Sequence, residues 1–382
     1  MNTYDVCIVG AGVVGCAIAR EFMGRRRPAS IRLLVLEQHE RPGEETSGRN
    51  SGVLHSGIHE APFSLKARLA QEGCRSAAAY ALQRGIPLLR TGMLIVVSNE
   101  DVRRGLWRDV SMLRRLWFNA WRTHTRVRFM TPSALRALEP QLRASYGLAI
   151  PEVSVIDAQA FVESLKTESE AAGVEFAFGN RVTAIEEAGG SYRVSTERQR
   201  IQAACLINAA GLYADEIAFL ALHHRKYTIH PLRGEYYEVI TPEKTGLVGR
   251  PVYPALPPGA TGKGVHVSPR PNGRLYIGPN EVPVQDKADY TSHKTPPGLF
   301  VGAVHKFLPA VDEQDLRWAY SGIRPRVEAN GRSKSDFIVS VDREDPLLVN
   351  LIGIESPGLS AAMALARHVC DLPSLQRRFP SG

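Results

Sequence analysis

The 382-residue sequence contains only five cysteines, and no two of them form a C-x-x-C pair. An odd number of cysteines, several of them in apolar surroundings, indicates small core residues rather than disulfides or metal ligands. The sequence also lacks a G-K-[ST] phosphate loop, an H-E-x-x-H motif and any His/Cys ligand cluster. These absences argue against P-loop nucleotide hydrolases and zinc proteases, and we expect no metal site.

Long apolar runs are missing as well. No stretch of 18 or more uncharged apolar residues occurs, so the sequence predicts no membrane span, and its first residues enter a predicted strand too early for a signal peptide. We therefore expect a cytoplasmic protein without a nucleic acid partner. The formal net charge of +8 suits an anionic substrate or an anionic lipid, and does not choose between them.

The strongest pattern that is present is a glycine-rich turn close to the N-terminus. Apolar residues 6–9 predict a buried strand, which runs through a G-x-G-x-x-G turn into an apolar helix. Gly10 allows the tight turn, Gly12 lets a pyrophosphate approach the backbone, and Gly15 lets helix and strand pack closely. The diphosphate would lie on the N–H groups at the helix N-terminus. The pattern predicts a dinucleotide-binding βαβ unit.

An acidic residue follows the second predicted strand of this unit. Residues 31–36 form that strand, and Glu37 ends it, about 20 residues after the third glycine, where a carboxylate accepts the ribose hydroxyls of adenosine. An acid here disfavours a 2′-phosphate, so the nucleotide is FAD or NAD rather than NADP. The loop 47–59 is rich in glycine, serine and asparagine, and offers backbone N–H groups to a large polar ligand. Because a flavin domain uses such a loop, it favours FAD.

Later segments predict that the chain returns to this first domain. Residues 201–207 form a predicted strand that ends in small residues at 208–215, and residues 347–369 predict a strand, a glycine-bearing turn and a small-residue helix. Residues 227–338 instead predict short alternating strands between proline and glycine turns, typical of an antiparallel sheet.

We therefore predict an α/β fold, α+β overall, with a Rossmann-like FAD-binding domain and an interleaved substrate domain built on an antiparallel sheet. The FAD-binding domain is assigned residues 1–84, 151–222 and 341–382. The substrate, or cap, domain is assigned residues 85–150 and 223–340.

One segment of the substrate domain has an unusual composition. Residues 101–128 hold eight arginines, two acidic residues and three of the four tryptophans. One interpretation is a basic amphipathic helix that lies on an anionic membrane surface. The other, which we favour, is a surface helix whose leucine and tryptophan face packs on its own domain.

Seven segments, in addition to the glycine-rich turn, resemble the FAD-dependent oxidoreductases of the D-amino-acid-oxidase (DAO) type. More narrowly, they resemble the L-2-hydroxyglutarate dehydrogenase/oxidase group and the short bacterial glycerol-3-phosphate oxidases. The resemblance covers essentially the whole chain. The segments are 47–59, 64–67, 208–211, 233–237, 252–254, 278–280 and 353–359.

The resemblance implies oxidation of a carbon that bears a hydroxyl group, with hydride transfer to flavin N5 and a base that removes the hydroxyl proton. The first candidate substrate is L-2-hydroxyglutarate, which would yield 2-oxoglutarate. Glycerol-3-phosphate is the second and an amino acid the third. A flavin-containing binding protein without turnover is the non-enzymatic alternative.

The resemblance also implies roles for individual residues. His55 matches the position of the catalytic base, and its ordinary pKa of about 6.5 suits proton transfer; the alternative is that it only bonds a carbonyl in its loop. Lys263 is similar to a lysine that faces flavin and substrate in the glycerol-3-phosphate oxidases, although a lysine between glycines is also typical of a solvated loop tip. Arg324 matches a family motif and would bind an anionic group as a bidentate fork, and we count it with the catalytic residues.

Two further residues are candidates for substrate binding. Arg233 is a second partner for a carboxylate, unless Glu235 neutralises it structurally, and Tyr237 belongs to the same matching segment. His59 stands where the family commonly has an aromatic residue, so the resemblance does not define the outer part of the pocket.

The cofactor is predicted to be non-covalent FAD, because no cysteine lies in the glycine-rich loop or beside His55. Its electrons would pass to oxygen or to a membrane quinone, and residues 101–128 would then supply a peripheral membrane contact at the inner face of the membrane. The predicted cofactor-binding residues are Gly10, Gly12, Val13, Val14, Gly15, Glu37, Gln38, Ser47, Asn50, Ser51, Gly52, Val182, Ala210, Gly211, Gly322, Glu355, Ser356, Gly358 and Leu359.

Overall fold

The computed structural model describes residues 2–26, 31–103, 107–256, 262–329 and 332–380. Its strands are β1 (Asn2–Val9), β2 (Leu33–Leu36), β3 (Val53–Leu54), β4 (Leu88–Leu89), β5 (Met93–Ser98), β6 (Arg128–Met130), β7 (Ala144–Ile150), β8 (Ser154–Ile156), β9 (Glu175–Ala177), β10 (Val182–Ala188), β11 (Ser191–Thr196), β12 (Arg200–Asn208), β13 (Tyr227–Val239), β14 (Val252–Pro254), β15 (His266–Pro269), β16 (Leu275–Gly278), β17 (Val282–Pro283), β18 (Leu316–Ala329), β19 (Arg332–Lys334), β20 (Ile338–Glu344) and β21 (Leu347–Ile352). Its α-helices are α1 (Val13–Gly24), α2 (Leu65–Arg84), α3 (Asn99–Arg103), α4 (Trp107–Arg122), α5 (Pro132–Leu138), α6 (Ala158–Ala171), α7 (Ala214–Leu222), α8 (Pro297–His305), α9 (Gly358–Cys370) and α10 (Pro373–Arg378).

The first sheet is built around the N-terminal strand. β1 pairs in parallel with β2 on one side and β12 on the other, and β9 extends the sheet beyond β2. The first half of β12 pairs with the β10–β11 hairpin, whereas its second half pairs in parallel with β21. Since β1, β2, β12 and β21 are parallel, their carboxyl ends meet at one edge, where ligands bind in open α/β sheets.

Helices cover both faces of this sheet, so its strands read as continuous apolar runs. On one face, α1, α2, α6 and α9 enclose a core that includes Ile8, Phe22 and Phe161. On the other face, α7 and the ends of β13 and β18 enclose a second core that includes Leu206 and Ile323. The second core is shared by the two sheets, which fixes the edge of one against the other.

The second sheet is mainly antiparallel, as the alternating sequence pattern predicts. Its strand order is β19-β18-β13-β16-β15-β14-β5-β7-β6, with β17 beside β13. The long strands β13 and β18 form its backbone and pair from Tyr227 with Ala329 to Val239 with Leu316. Helices α5 and α8 pack on one face of this sheet and α4 on the other.

A third, small sheet joins β3, β8 and β4. The strands of the first sheet come from the segments assigned to the FAD-binding domain, except that β20 begins at Ile338, before the assigned boundary. The exact domain bounds remain a prediction. No helix in the described part of the chain is both long and apolar enough to cross a bilayer.

The favoured interpretation of residues 101–128 was wrong for two of its tryptophans. Helix α4 does bury Leu113, Leu116 and Ala120 against the second sheet. Trp117 and Trp121, however, are 47% and 71% exposed, so these two side chains do not pack into that core. The side chain of Trp107 lies outside the described residues.

Candidate active site

A cavity of about 750 Å³ lies between the carboxyl edge of the first sheet and the middle of the second. This volume is typical of a ligand site. Its walls come from the β1–α1 turn, the end of β2, the loop 43–55, the end of β12, strand β18 and the segment 354–359. Both sheets therefore contribute side chains to one site.

The glycine-rich turn has the geometry that its spacing predicts. Gly10 has a φ of +105°, and a Cβ there would lie 2.6 Å from the carbonyl oxygen of Ala209. A Cβ on Gly15 would lie 1.9 Å from the carbonyl oxygen of Gly10, so helix and strand pack too closely for any side chain. Gly12 and Val13 face the cavity at the start of α1, where Val13 N donates to Ser47 Oγ at 3.0 Å.

Glu37 lies on the cavity wall just beyond β2. Its two carboxylate oxygens accept backbone N–H groups from Ala11 at 2.7 Å and from His39 at 3.0 Å. Burial raises the pKa of this carboxyl group, whereas the two N–H bonds oppose the rise. The contacts hold the carboxylate in one orientation at the edge of the sheet, beside the N-terminus of α1.

The polar loop that follows β2 is tied to the second sheet at the cavity. Asn50 closes the loop on itself, because its amide donates to Ser47 O at 2.7 Å and accepts from Gly52 N at 2.8 Å. Arg270 Nη2 donates to Asn50 O at 2.7 Å. A Cβ on Gly322 of β18 would lie 1.9 Å from the carbonyl oxygen of Arg49, so loop and strand are in direct backbone contact there.

Most of the predicted cofactor-binding residues line this cavity. Gly15 and Gly52 do not: the first packs inside the βαβ unit, and the second turns the chain into β3, where its N–H is bound by Asn50. Those that line the cavity are Gly10, Gly12, Val13, Val14, Glu37, Gln38, Ser47, Asn50, Ser51, Val182, Ala210, Gly211, Gly322, Glu355, Ser356, Gly358 and Leu359.

Arg233 and Tyr237 lie outside the cavity lining, which argues against the substrate-binding role predicted for them. The guanidinium group of Arg233 is only 1% exposed and pairs with Glu235 at 3.1 Å and with Asp289 at 2.9 Å. The Tyr237 hydroxyl donates to Thr295 O at 2.7 Å. The structural alternative for Arg233, neutralisation by Glu235, therefore agrees with this geometry.

His55 lines the cavity and is 5% exposed. Its backbone N–H donates to Ser360 Oγ of α9 at 2.7 Å, which anchors it to the first domain. Its Nδ1 is shielded and has no hydrogen-bond partner among the described residues. Burial, followed by the positive charge of Lys263, holds the pKa of the imidazole well below its ordinary value. The imidazole of His55 is therefore uncharged at neutral pH.

An aromatic cluster surrounds His55. The rings of Tyr253 and His266 stack with centroids 3.9 Å apart, and Tyr253 lies 5.7 Å from His55. His59 completes the cluster, with its ring 6.4 Å from that of His55. Burial lowers the pKa of both His59 and His266 to about 3, so neither carries charge at neutral pH. The cluster presents rigid, neutral surfaces to whatever binds beside His55.

Lys263 brings a cation to the same wall. Its ammonium donates to Ser356 Oγ at 3.1 Å and lies 3.3 Å from a carboxylate oxygen of Glu60. The flanking Gly262 and Gly264 have φ of +69° and +77°, which gives the tight turn that directs the lysine inward. Burial lowers the pKa of this lysine, and Glu60 opposes the shift.

Arg324 reaches the cavity from β18. Its Nη1 donates to Glu281 at 3.0 Å, and the same carboxylate lies 3.8 Å from Arg326. A Cβ on Gly262 would fall 2.4 Å from a Glu281 oxygen, so the arginine pair and the lysine turn meet at this carboxylate. Arg324 and Lys263 thus share one side of the cavity.

Several residues that line the cavity were not predicted from the sequence. Glu60 and Glu281 line the wall as partners of the predicted cations, and Lys66 pairs with Glu355 at 3.1 Å. Lys66 lies in a segment that resembles the family, which was a usable signal. The two acids offered none, because each lies outside the matching segments and meets its partner only in the folded chain.

The donor set fits FAD. The start of α1 offers N–H groups beside glycines whose missing side chains leave room, and Glu37 offers a carboxylate that would accept the hydroxyl groups of an adenosine ribose. Gly358 and Leu359, at the N-terminus of the 13-residue helix α9, face the other part of the cavity. A helix N-terminus suits a group that becomes negatively charged on reduction.

Comparisons with known proteins agree with this geometry. A family model described as FAD dependent oxidoreductase matches residues 5–372. The mitochondrial L-2-hydroxyglutarate dehydrogenase of Arabidopsis thaliana is 30% identical, and the alignment covers 96% of this chain and 83% of that protein. The glycerol 3-phosphate dehydrogenase of Caloramator mitchellensis is 28% identical, with 97% and 73% covered.

Solved structures show the same fold. The dithionite-reduced L-alpha-glycerophosphate oxidase from Mycoplasma pneumoniae, with FAD bound, superposes with a TM-score of 0.86 at 28% identity, over 98% of this chain and 95% of that one. Glycine oxidase from Geobacillus kaustophilus gives a TM-score of 0.80 at 21% identity, with 99% and 95% covered, and supports the fold alone. The expected fold class, enzyme class and cofactor are confirmed. The chain belongs to the FAD dependent oxidoreductase family, and FAD is its cofactor.

Proposed function

We propose that this protein oxidises a small anionic 2-hydroxy acid, with L-2-hydroxyglutarate to 2-oxoglutarate as the first candidate. The observation that supports this most directly is the meeting of an uncharged His55 with the cations Lys263 and Arg324 in one cavity. Similarity to several L-2-hydroxyglutarate dehydrogenases along nearly the whole chain supports the same class of substrate.

Bound FAD supplies the acceptor for the hydride that leaves the carbinol carbon. The chain would hold it non-covalently, through the N–H groups at the start of α1, the Glu37 carboxylate and the N-terminus of α9. Acid denaturation should release all of the yellow colour into the supernatant, and colour retained on the protein would contradict this mode of binding.

His55 would take the hydroxyl proton of the substrate. Because Nδ1 is shielded, Nε2 is the ring nitrogen we assign to this transfer. The low pKa keeps Nε2 unprotonated before the substrate binds, and the contact from the His55 N–H to Ser360 holds its backbone in place. The aromatic neighbours exclude water from the ring, so the proton is not lost to solvent before the carbonyl product forms.

Lys263 and Arg324 would bind the anionic groups. Each already faces an acid, Glu60 and Glu281 respectively, so an incoming carboxylate has to share or displace that partner. A dicarboxylate such as 2-hydroxyglutarate can engage both cations at once, which compensates for the competition at each. This favours it over a substrate with one anionic group.

The deciding experiment mixes the oxidised protein with L-2-hydroxyglutarate under anaerobic conditions and follows the flavin absorbance in a stopped-flow instrument. We expect rapid bleaching that saturates with concentration, and little or none with the D-enantiomer as matched control. Equal bleaching by both enantiomers, or by neither, would contradict the proposal.

Glycerol-3-phosphate is the second candidate substrate. It is favoured by Lys263 and by the similarity to the glycerophosphate oxidase of Mycoplasma pneumoniae. Bleaching by glycerol-3-phosphate alone would replace the first candidate and keep the assigned roles of His55 and Lys263. Glycine and L-proline form a third arm of the same experiment.

The electron acceptor would be oxygen or a membrane quinone. Reoxidation of the bleached protein by air-saturated buffer, or by a short-chain quinone in its place, separates the two. We further propose a cytoplasmic location, at the inner face of the membrane if the acceptor is a quinone.

A further inference from the structure

A group of large aromatic side chains is exposed on one surface of the second domain. We call Phe63, Trp117, Phe118, Trp121 and Arg122 the aromatic–arginine patch. Phe63 is 80% exposed, Trp121 71%, Phe118 51% and Trp117 47%. Scattered exposed apolar residues are ordinary, but a contiguous aromatic surface marks a site of interaction.

The patch is not needed to hold α4 in place. The helix already packs through Leu113, Leu116 and Ala120 onto the face of the second sheet that carries Ile95 and Leu148. Trp117 and Trp121, four residues apart, lie along the border of this buried stripe and are largely exposed, so they are not part of the core. The exposed aromatics are therefore an additional apolar face.

Four members of the patch contact one another. The rings of Phe118 and Trp121 stack with centroids 5.9 Å apart. The guanidinium group of Arg122 lies 4.8 Å from the ring centroid of Phe63 and 5.0 Å from that of Phe118. These contacts pre-order the surface, which lowers the entropic cost of binding.

A second aromatic pair extends the same side of the domain. Phe129 and Tyr146 stack with ring centroids 5.8 Å apart and are 52% and 38% exposed. Phe129 pairs with Leu148, and Tyr146 lies two residues before Leu148, so by strand alternation all three side chains share the face that α4 covers. The face of the sheet on which α4 lies therefore carries a second pair of exposed aromatic rings.

The charge around these rings has one sign. Residues 111–130 contain five arginines and no acidic residue. Arg114, Arg115, Arg122, Arg126 and Arg128 are all exposed. Aromatic rings that insert at the level of lipid headgroups, bordered by basic side chains, are the pattern of a protein that lies on an anionic bilayer.

We propose that the aromatic–arginine patch docks this protein onto the surface of an anionic lipid bilayer. The rings of Phe63, Phe118 and Trp121 enter the headgroup region, and the surrounding arginines bind lipid phosphates. Charge complementarity selects this partner over an acidic protein, because the exposed rings require an apolar layer directly beneath the negative charges. The proposal stands independently of which substrate the enzyme oxidises.

The patch is linked to the cavity through the loop that precedes α2. Phe63 belongs to this loop, and Asn119 of α4 donates to Ile58 O within it at 3.3 Å. The same loop carries Glu60, the cavity partner of Lys263. Docking thus brings one wall of the cavity close to the membrane, where a lipid-dissolved electron acceptor is concentrated.

Vesicle sedimentation tests the proposal with the FAD-loaded protein. At low salt we expect binding to vesicles that contain phosphatidylglycerol, weak binding to pure phosphatidylcholine, and a loss of binding as salt is raised. Tryptophan emission should shift to the blue on binding, and lipids brominated near the headgroup should quench it. No binding to anionic vesicles would overturn the proposal.

Two sets of variants separate this surface from general stickiness. Phe118→Ser with Trp121→Ser, and Arg114→Gln with Arg115→Gln and Arg122→Gln, should each weaken vesicle binding about tenfold or more. The matched control is Phe219→Ser with Arg225→Gln. Phe219 is an exposed ring on α7, and the guanidinium group of Arg225 lies 5.6 Å from its centroid. We expect no change in that control.

The outcomes distinguish this inference from the proposed function. Substrate-driven bleaching without vesicles should be the same in every patch variant, since no patch residue lines the cavity. Equal loss of vesicle binding in the control and the patch variants would overturn the proposal. A different result would also overturn it: the parent protein binds no vesicles and sediments as a dimer, and both patch variants sediment as monomers. The patch would then be an interface between two copies of the chain.

Discussion

The ammonium nitrogen of Lys263 lies 3.3 Å from a carboxylate oxygen of Glu60, and both side chains face the cavity that contains His55. The acid partly neutralises a cation to which we assign substrate binding. Glu60→Gln should therefore lower the KM for an anionic substrate at neutral pH, by about fivefold. Steady-state kinetics measure this, with Glu186→Gln, which removes a surface partner of Arg193, as control. A higher KM would instead assign Glu60 a direct role in binding.

Removal of the proposed base should slow the chemical step. In His55→Ala, we expect the rate of flavin reduction at saturating substrate to fall by about 10² to 10⁴, because the proposed acceptor of the hydroxyl proton is removed. FAD content, measured from the absorbance ratio of flavin to protein, should be unchanged. His230→Ala alters an exposed histidine on β13 and is the control. A rate within threefold of the parent would exclude His55 as the base.

The pH dependence of kcat/KM and of KM should differ from that expected for an ordinary histidine and an ordinary lysine. Burial and nearby Lys263 hold the pKa of His55 well below 6.5, so the base stays unprotonated and kcat/KM should keep its plateau below that pH. Burial also lowers the pKa of Lys263 from 10.5, so its positive charge is lost, and KM should rise, at a lower pH than for an ordinary lysine. Lys263→Arg should move the alkaline limb upward, since arginine keeps its charge. A KM that stays constant up to pH 10.5 would contradict this role.

The contact between Gly322 and Arg49 should be intolerant of a side chain. Gly322→Ala places a methyl group 1.9 Å from the Arg49 carbonyl oxygen, which forces loop and strand apart and costs about 1–3 kcal/mol of unfolding free energy. FAD should also bind more weakly, since the loop lines the cavity. Thermal unfolding and flavin titration measure both effects. Gly302→Ala on α8 meets no atom within 4 Å and should be neutral or slightly stabilising.

The glycine-rich turn could be read from the sequence because its requirements are local. Gly10 and Gly15 lie five residues apart, and a Cβ on the second meets the backbone of the first. Glu37 could be identified for the same reason, since a βαβ unit places the end of its second strand beside the first turn. The resemblance to a known family extended this to the distant segments, and 17 of the 19 predicted cofactor residues line one cavity.

The predictions that the structure argues against concern which of two possible partners a side chain contacts. Arg233 was a candidate for carboxylate binding, and the sequence left open whether Glu235 neutralises it; only the packing of β13 against the segment around Asp289 encloses the guanidinium group. The tryptophans of α4 are a similar case. Helical spacing identifies several apolar stripes in an arginine-rich helix, but which stripe meets the sheet depends on how the helix is rotated in the fold.

The sequence by itself determined the dinucleotide-binding unit, the choice of FAD and the family, because each depends on short-range spacing or on motifs in a fixed order. Tertiary structure alone decided the electrostatics of the catalytic cavity. Lys263 and Glu60 are about 200 residues apart, and Gly322 and Arg49 are about 270 residues apart; no local pattern encodes either approach. Burial, which shifts the pKa of His55 and Lys263, is a property of the completed cavity, since it depends on every element that excludes water from it.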